Sequence, residues 1–150
     1  MTLSFKEDHI SQIPALMMLE KVGYTYLTPA EAMELRGGNA SNVLLEPILR
    51  EQLAKINTVQ VSSQRTTVFS EQNITAGIEA LRNLPMAEGF MTASQVAYDL
   101  LTAGKTLEQI VDGDKKSYVM QYIDWKHIEN NAFHVTEEFA VSRTGMNDTY

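Results

Sequence analysis

Apolar residues recur at helical spacing through the first two-thirds of the chain, and caps and helix breakers separate the segments. The clearest helix start is Thr28-Pro29-Ala30-Glu31, a capping box with proline at the first helical position. The predicted helices run from a cap at Ser11 to Gly23, from Thr28 to Gly37-Gly38, over Asn42–Ile56 with a late start or a kink at Pro47, over Ser70–Leu84, over Thr92–Ala103, and from Thr106 to Gly113.

Beyond Lys116 the hydrophobic pattern changes to the alternation of strands. Tyr118–Ile123 and Ala132–Ser142 are predicted strands, with Asn130-Asn131 as turn material between them. The second strand places on one side, with a break at Glu137, the apolar residues Phe133, Val135, Phe139 and Val141. We therefore predict a mixed fold, α+β or α/β, with helices over residues 1–113 and an antiparallel strand pair over residues 118–142.

The polar run after Val141, Ser142–Thr149, is typical of a hairpin connection. A well-patterned strand needs partner strands, because its unpaired backbone groups otherwise remain exposed. We expect residues 1–150 to be the N-terminal part of a larger domain whose sheet is completed by other residues.

The composition is that of an ordinary globular protein. The chain has 150 residues, of which 44% are hydrophobic, and a mean hydropathy of -0.19. No apolar run approaches the ~18 residues of a membrane span, the first residues lack a signal-peptide pattern, and there is no cysteine. These features predict a cytoplasmic protein without a membrane partner.

The net charge of -7 makes nucleic acid an unfavourable partner for this chain by itself. Contacts to phosphate dominate nucleic-acid affinity, and strong binders present a basic surface. The 12 lysines and arginines are scattered along the sequence rather than clustered. We expect weak or no nucleic-acid binding.

Two short motifs suggest chemistry. Gly104-Lys105-Thr106 resembles the end of a phosphate-binding loop, but Asp99 stands where the upstream glycine belongs and a helix precedes the motif. A helix-closing glycine explains it better, and we predict no nucleotide site there. Asp114 followed by Asp124-Trp125-Lys126 suits metal-dependent phosphodiester hydrolysis, with carboxylates on Mg²⁺ and a lysine near the attacking water. Among 19 acidic and 12 basic residues a D-x-K pattern is expected by chance, which favours a solvated strand end.

Glu46, in Leu44-Leu45-Glu46-Pro47, is the remaining candidate for a site residue. An acid early in a helix is usually a first-turn residue that the helix dipole favours. The three histidines have neither the helical spacing nor the cysteine companions of a zinc site.

Three segments together resemble the N-terminal nuclease region of the restriction (motor) subunit of type I restriction-modification enzymes, a PD-(D/E)xK nuclease. In chain order they are Gln12–Tyr24, Asn42–Asn57 and, as the most specific, Ile123–Val141. In that family the strand pair leads into the catalytic hairpin. Residues 1–150 contain no Pro-Asp pair and no E-x-K. The resemblance thus implies that the chain ends before the metal-binding aspartate and that Asp124-Trp125-Lys126 is not the catalytic set.

The resemblance also implies what the whole subunit does, namely ATP-driven DNA translocation followed by double-strand cleavage. Such a parent uses Mg²⁺ and ATP and works with methylation and specificity subunits, whereas residues 1–150 alone are expected to be inactive and to bind neither cofactor. Glu46 matches the family's helical acid, and the resemblance implies that it supports either the metal site or the packing of its helix, with the packing role favoured. Gln12 stands where relatives often carry an acid in the first helix. The alternative is a free-standing helical interaction domain with an edge hairpin.

Overall fold

The computed structural model describes residues 11–142, which divide into two compact units. The central unit is Glu46–Asn131, and the discontinuous unit is Met1–Leu45 with Ala132–Tyr150. The polar run after Ser142, predicted to be a hairpin connection, lies outside the described residues. Among the helices of residues 11–142, none has the length and apolar character needed to cross a membrane.

Within residues 11–142, five helices and six strands form in chain order, as α1 (Ile13–Lys21), β1 (Thr25–Tyr26), α2 (Pro29–Leu35), α3 (Glu46–Ile56), β2 (Val59–Ser62), β3 (Arg65–Thr67), α4 (Glu71–Arg82), α5 (Phe90–Ala103), β4 (Lys105–Val111), β5 (Asp114–Met120) and β6 (His134–Val135). Single 3-10 turns lie at Met86–Glu88 and Ile128–Asn130. The mixed fold class with antiparallel strand pairs is confirmed, whereas several element assignments differ from the prediction.

In the discontinuous unit, the start of α2 follows the prediction closely. The Thr28 hydroxyl accepts a hydrogen bond from the Glu31 amide at 3.2 Å, and the Thr28 amide donates to the Glu31 carboxylate at 2.8 Å. The predicted cap of α1 at Ser11 is wrong: residues 11 and 12 already form a wide π-type turn, and Gln12 occupies the N-cap position.

The short strand β6 pairs in parallel with β1, through Thr25 with His134 and Tyr26 with Val135. The prediction of an antiparallel pair between 118–123 and 132–142 is therefore wrong. Extended backbone ends soon after Val135, because Glu138 adopts a left-handed conformation with φ 47°. The alternating apolar residues between positions 133 and 141 thus belong partly to a two-residue strand and partly to the irregular segment that follows it.

Arg36 is the buried centre of the discontinuous unit, with 2% of its surface exposed. Its guanidinium donates hydrogen bonds to the carbonyl oxygens of Ala40, Asn42 and Ala140, the last at 2.8 Å. The ring of Phe139 lies 4.0 Å from the guanidinium carbon, a cation–π contact. Backbone carbonyls and an aromatic face thus replace the water that a buried cation loses.

The central unit has its own hydrophobic core between α3, α4 and the strands. The predicted helices over Asn42–Ile56, Ser70–Leu84 and Thr92–Ala103 all form; the first starts late, at Glu46, as Pro47 indicated. Ser70 caps α4 by accepting from the Asn73 amide. The core consists of Leu53, Val59, Phe69, Ile74, Ile78, Ala93, Met120 and Tyr122, all buried.

The predicted helix from Thr106 to Gly113 is wrong, since this segment is strand β4, paired antiparallel with β5 in a hairpin from Lys105–Met120 to Val111–Asp114. Asp112 and Gly113 both have positive φ, 53° and 84°, as a type I′ turn requires. An Asp-Gly pair is a strong hairpin signal that the helical interpretation overlooked.

Gln109 explains why β4 does not look amphipathic in the sequence. Alternate residues of β4 are half-buried, and Gln109 is one of them. Its side-chain oxygen accepts from the Ser70 amide at 2.8 Å, and its amide group donates to the Val68 carbonyl at 3.1 Å. A polar residue takes an inward position here because it satisfies backbone groups at the start of α4.

The two glycines at the ends of β4 provide a matched stability test. A Cβ on Gly104 (φ 80°) would lie 2.4 Å from the Met120 carbonyl oxygen, whereas a Cβ on Gly113 (φ 84°) would meet nothing within 4 Å. We expect Gly113→Ala to cost about 1–2 kcal/mol and Gly104→Ala roughly 2–5 kcal/mol. Urea unfolding followed by the fluorescence of Trp125 measures both, and equal losses would contradict the close approach at Gly104.

Arg36→Lys tests the buried guanidinium. One ammonium group cannot reach three carbonyls in the fixed fork of an arginine, so we expect a loss of about 3 kcal/mol in the discontinuous unit. Backbone hydrogen exchange should accelerate in a peptide covering residues 139–142. The control is Arg50→Lys, a change at an exposed arginine paired with Glu71, which should leave that exchange unchanged. Unaltered exchange in Arg36→Lys would contradict the prediction.

Candidate functional site

The segment that follows β5 is anchored by a buried asparagine. Asn57, at the end of α3, accepts a hydrogen bond from the Gln121 amide at 2.7 Å. Its side-chain amide donates to the Gln121 carbonyl at 2.8 Å and to the Leu53 carbonyl at 3.0 Å. The Asn57 side chain therefore pairs with the Gln121 backbone as a neighbouring strand would, and this holds the chain against α3.

Tyr122 attaches the same segment to α4. Its hydroxyl donates to the Gly77 carbonyl at 2.6 Å, and burial raises the pKa of Tyr122 to about 12. Tyr122 therefore remains a neutral hydrogen-bond donor at physiological pH, and its role is structural.

Asp124 organises the turn after this segment. One carboxylate oxygen accepts from the amides of Lys126, at 3.1 Å, and His127, at 2.9 Å, and the other accepts from the Asn130 side chain at 2.9 Å. The hydrogen bond from Asn130, followed by the His127 amide, lowers the pKa of Asp124 below its usual range. The Asn131 side chain closes the turn by bonding both the amide and the carbonyl of Asp124. Asp124 is thus an ionised carboxylate that its own turn requires.

A cleft of about 300 Å³ opens beside these residues in the central unit. Its lining consists of Ile56, Thr102, Gln121, Ile123, Asp124, Trp125 and Lys126. Trp125 is 55% exposed, and its indole N–H donates a hydrogen bond to the Leu101 carbonyl at 3.1 Å. The side-chain oxygen of Gln121 is buried and has no hydrogen-bond partner among residues 11–142.

The acids that suggested a nuclease centre do not come together. Asp114 lies at the hairpin tip opposite Val111, and Asp124 follows the other end of β5. The six residue steps of β5 alone span about 20 Å. Throughout residues 11–142, no three His, Cys, Asp or Glu side chains form a group that fits a metal ion.

Glu46 is the first residue of α3, and its carboxylate forms an ion pair with Arg82 in the last turn of α4. The Glu46 side chain is 29% exposed. An acid at a helix start and a base at a helix end both suit the helix dipoles, and the pair connects the two helices. The role of Glu46 as a supporting acid in a nuclease stays a prediction.

Gly104-Lys105-Thr106 joins the end of α5 to the start of β4. Gly104 ends the helix as predicted. A phosphate-binding loop has the opposite order, a strand followed by a helix, so its amides are not arranged at a helix start.

Asn57 and Gln121, which shape the cleft, had no recognisable signal in the sequence. An asparagine that follows a helix commonly serves as a helix cap, and a glutamine next to Tyr122 is expected to be exposed to solvent. Their pairing joins residues 64 positions apart, and no local pattern indicates such a contact.

Asp124→Asn tests the charge at the turn. Because the folded pKa of Asp124 is below its usual 3.8, the ionised form stabilises the folded state above about pH 4, and this contribution disappears as the pH falls through the lowered pKa. The stability advantage of the natural chain over Asp124→Asn should therefore shrink between about pH 5 and pH 2. Asp124→Ala, which lacks the capping oxygen, should be less stable than Asp124→Asn at neutral pH. A difference independent of pH, measured by urea unfolding, would contradict this account.

Comparison with known proteins gives one match. The family model described as type I restriction enzyme R protein N terminus matches residues 4–150, nearly the entire chain. No curated protein and no solved structure shows a significant similarity to this chain. The match agrees with the resemblance carried by the first helix, by α3 and by Ile123–Val141. The chain therefore belongs to the family of type I restriction enzyme R protein N termini.

Proposed function

We propose that this chain is the N-terminal part of the nuclease region of a type I restriction subunit, a DNA-cleaving and ATP-dependent translocase. The observation that carries the proposal is the family match over residues 4–150. The parent acts in the cytoplasm on DNA, with Mg²⁺ and ATP as cofactors and with methylation and specificity subunits as partners.

Within that function, we assign residues 1–150 a supporting role rather than the chemistry itself. The sequence has neither the Pro-Asp pair nor the E-x-K of a PD-(D/E)xK centre. Glu46 pairs with Arg82, and Asp124 is bonded within its own turn. The described residues therefore do not fit a catalytic Mg²⁺ ion.

The supporting role predicts that the purified chain will not cut DNA. With supercoiled plasmid and either Mg²⁺ or Mn²⁺, we expect no nicking above background, because no set of carboxylates within residues 11–142 is arranged to hold the ion. The net charge of -7 should also keep DNA affinity weak in a gel-shift assay at physiological salt. Nicking that is lost in Asp124→Ala or Lys126→Ala would contradict both the supporting role and the rejection of this motif.

The matched test of Glu46 uses a full-length restriction subunit that contains this chain. Glu46→Gln and Arg82→Met each remove one partner of the same ion pair. If Glu46 supports packing, the two variants should reduce cleavage and stability together. A loss of cleavage confined to Glu46→Gln, at unchanged stability, would assign this acid to the metal site.

A further inference from the structure

Helix α5 presents an apolar stripe that the rest of residues 11–142 leaves exposed. Met91, Phe90 and Tyr98 are 81%, 73% and 64% exposed, and Leu101 also lies on the surface. The helix packs on the central unit through a different side, which contains the buried Ala93. Single apolar side chains are ordinary on a protein surface, but several along one side of a helix mark an interaction surface.

The spacing of this stripe is that of a contact seam between two helices. Met91, Ser94, Tyr98 and Leu101 follow one another at intervals of three, four and three residues, and Phe90 lies beside the first of them. Residues at such intervals lie on one side of a helix, where they interlock with the side chains of a helix packed alongside. The spacing therefore predicts a helix as the partner of α5.

The stripe is complementary to itself when the second helix runs in the opposite direction. The order of the intervals is the same from either end, so in an antiparallel pair Met91 faces Leu101 of the second copy and Ser94 faces its Tyr98. A small residue opposite a large one lets the two helices interlock without a gap. A parallel pair would instead place serine against serine and tyrosine against tyrosine.

The charges around α5 favour the same arrangement. The helix contains no lysine or arginine, and its single acid, Asp99, is bonded by the Gln95 side chain at 2.8 Å, away from the stripe. Glu88 precedes the helix and Lys105 follows it. Antiparallel packing brings each Glu88 to the end of the other helix where Lys105 lies, and it also opposes the two helix dipoles. Charge complementarity thus selects a second copy of this chain.

We propose that α5 is a self-association surface, on which a second copy of this chain packs its own α5 in antiparallel orientation. The interface is isologous, with the same stripe on both copies. This role goes beyond the nuclease function and does not depend on it.

The size of the stripe sets the strength of the dimer. Its residues offer roughly 500 Å² from each copy, or about 1,000 Å² in total, whereas stable interfaces begin at about 1,200 Å². The dimer should therefore be weak, with a Kd on the order of 100 µM. A monomer at low concentration and a dimer at high concentration are the expected states.

Sedimentation equilibrium of the 150-residue protein, between about 10 µM and about 1 mM, measures this association. Tyr98→Glu places a charge in the seam and should weaken the dimer at least ten-fold. The matched control is Thr92→Glu, which adds the same charge at an exposed residue on a different side of α5 and should leave the Kd unchanged. Urea unfolding, followed by the fluorescence of Trp125, checks that each variant remains folded.

Cysteine cross-linking tests the orientation, since the natural chain has no cysteine. Met91→Cys and Leu101→Cys proteins, mixed and treated with oxidised glutathione, should form a disulfide between the two different chains. Each variant alone should give much less cross-linked dimer, because like positions lie about 15 Å apart along an antiparallel pair.

Three results would overturn the proposal. A protein that remains monomeric at about 1 mM would show that α5 does not bind a second copy at the expected strength. Equal weakening in Tyr98→Glu and Thr92→Glu would place the association on another surface. Cross-linking of Met91→Cys with itself, in preference to the mixture, would indicate a parallel pair.

Discussion

Met120 lies completely buried between two glycines, and the arrangement of the central unit depends on this close approach. A Cβ on Gly77 of α4 would lie 2.7 Å from the Met120 sulfur, and a Cβ on Gly104 would lie 2.4 Å from its carbonyl oxygen. At Gly104 only a residue without a side chain lets the backbone at the end of β5 approach this closely, whereas a side chain at Gly77 would displace the Met120 side chain. The contact brings a strand, two helices and a hairpin to one point, where Leu53 of α3 is also buried.

The cleft follows from that contact, since the next residues leave it in a defined direction. Asn57 holds the Gln121 backbone and Gly77 accepts from Tyr122, so the chain is attached to α3 and to α4 before it reaches the cleft. The turn organised by Asp124 then presents Trp125 and Lys126. Asp124 and Lys126, which had suggested catalysis, therefore lie in a turn whose preceding residues are attached to two helices. The Asp124 carboxylate already accepts hydrogen bonds within this turn.

The discontinuous unit depends on a different interaction, the burial of a cation that is hydrogen-bonded, within residues 11–142, to backbone carbonyls. Arg36 donates to three backbone carbonyls, and the segments that supply them are far apart in sequence. Charge-assisted bonds to carbonyls avoid the cost of removing an anion from water as well. The arginine thereby fixes both the loop after α2 and the segment around Phe139.

Features that depend on neighbours a few residues apart could be predicted from the sequence alone. The capping box at Thr28, a helix beginning near Ser70 and the late start of α3 beside Pro47 were all predicted correctly, and three segments were enough for the family resemblance. The Asp112-Gly113 turn could also have been predicted from the sequence, although the helical interpretation of β4 overlooked it. Three features could not be predicted from the sequence and depend on the three-dimensional fold. They are the parallel pairing of β1 with β6, the inward position of Gln109 and the pairing of Asn57 with Gln121. Each of these joins polar or backbone groups that are distant in sequence. Such contacts could not be predicted, because a hydrogen bond to a distant group leaves no periodic pattern along the chain. Burial determines how much each of these hydrogen bonds stabilises the fold.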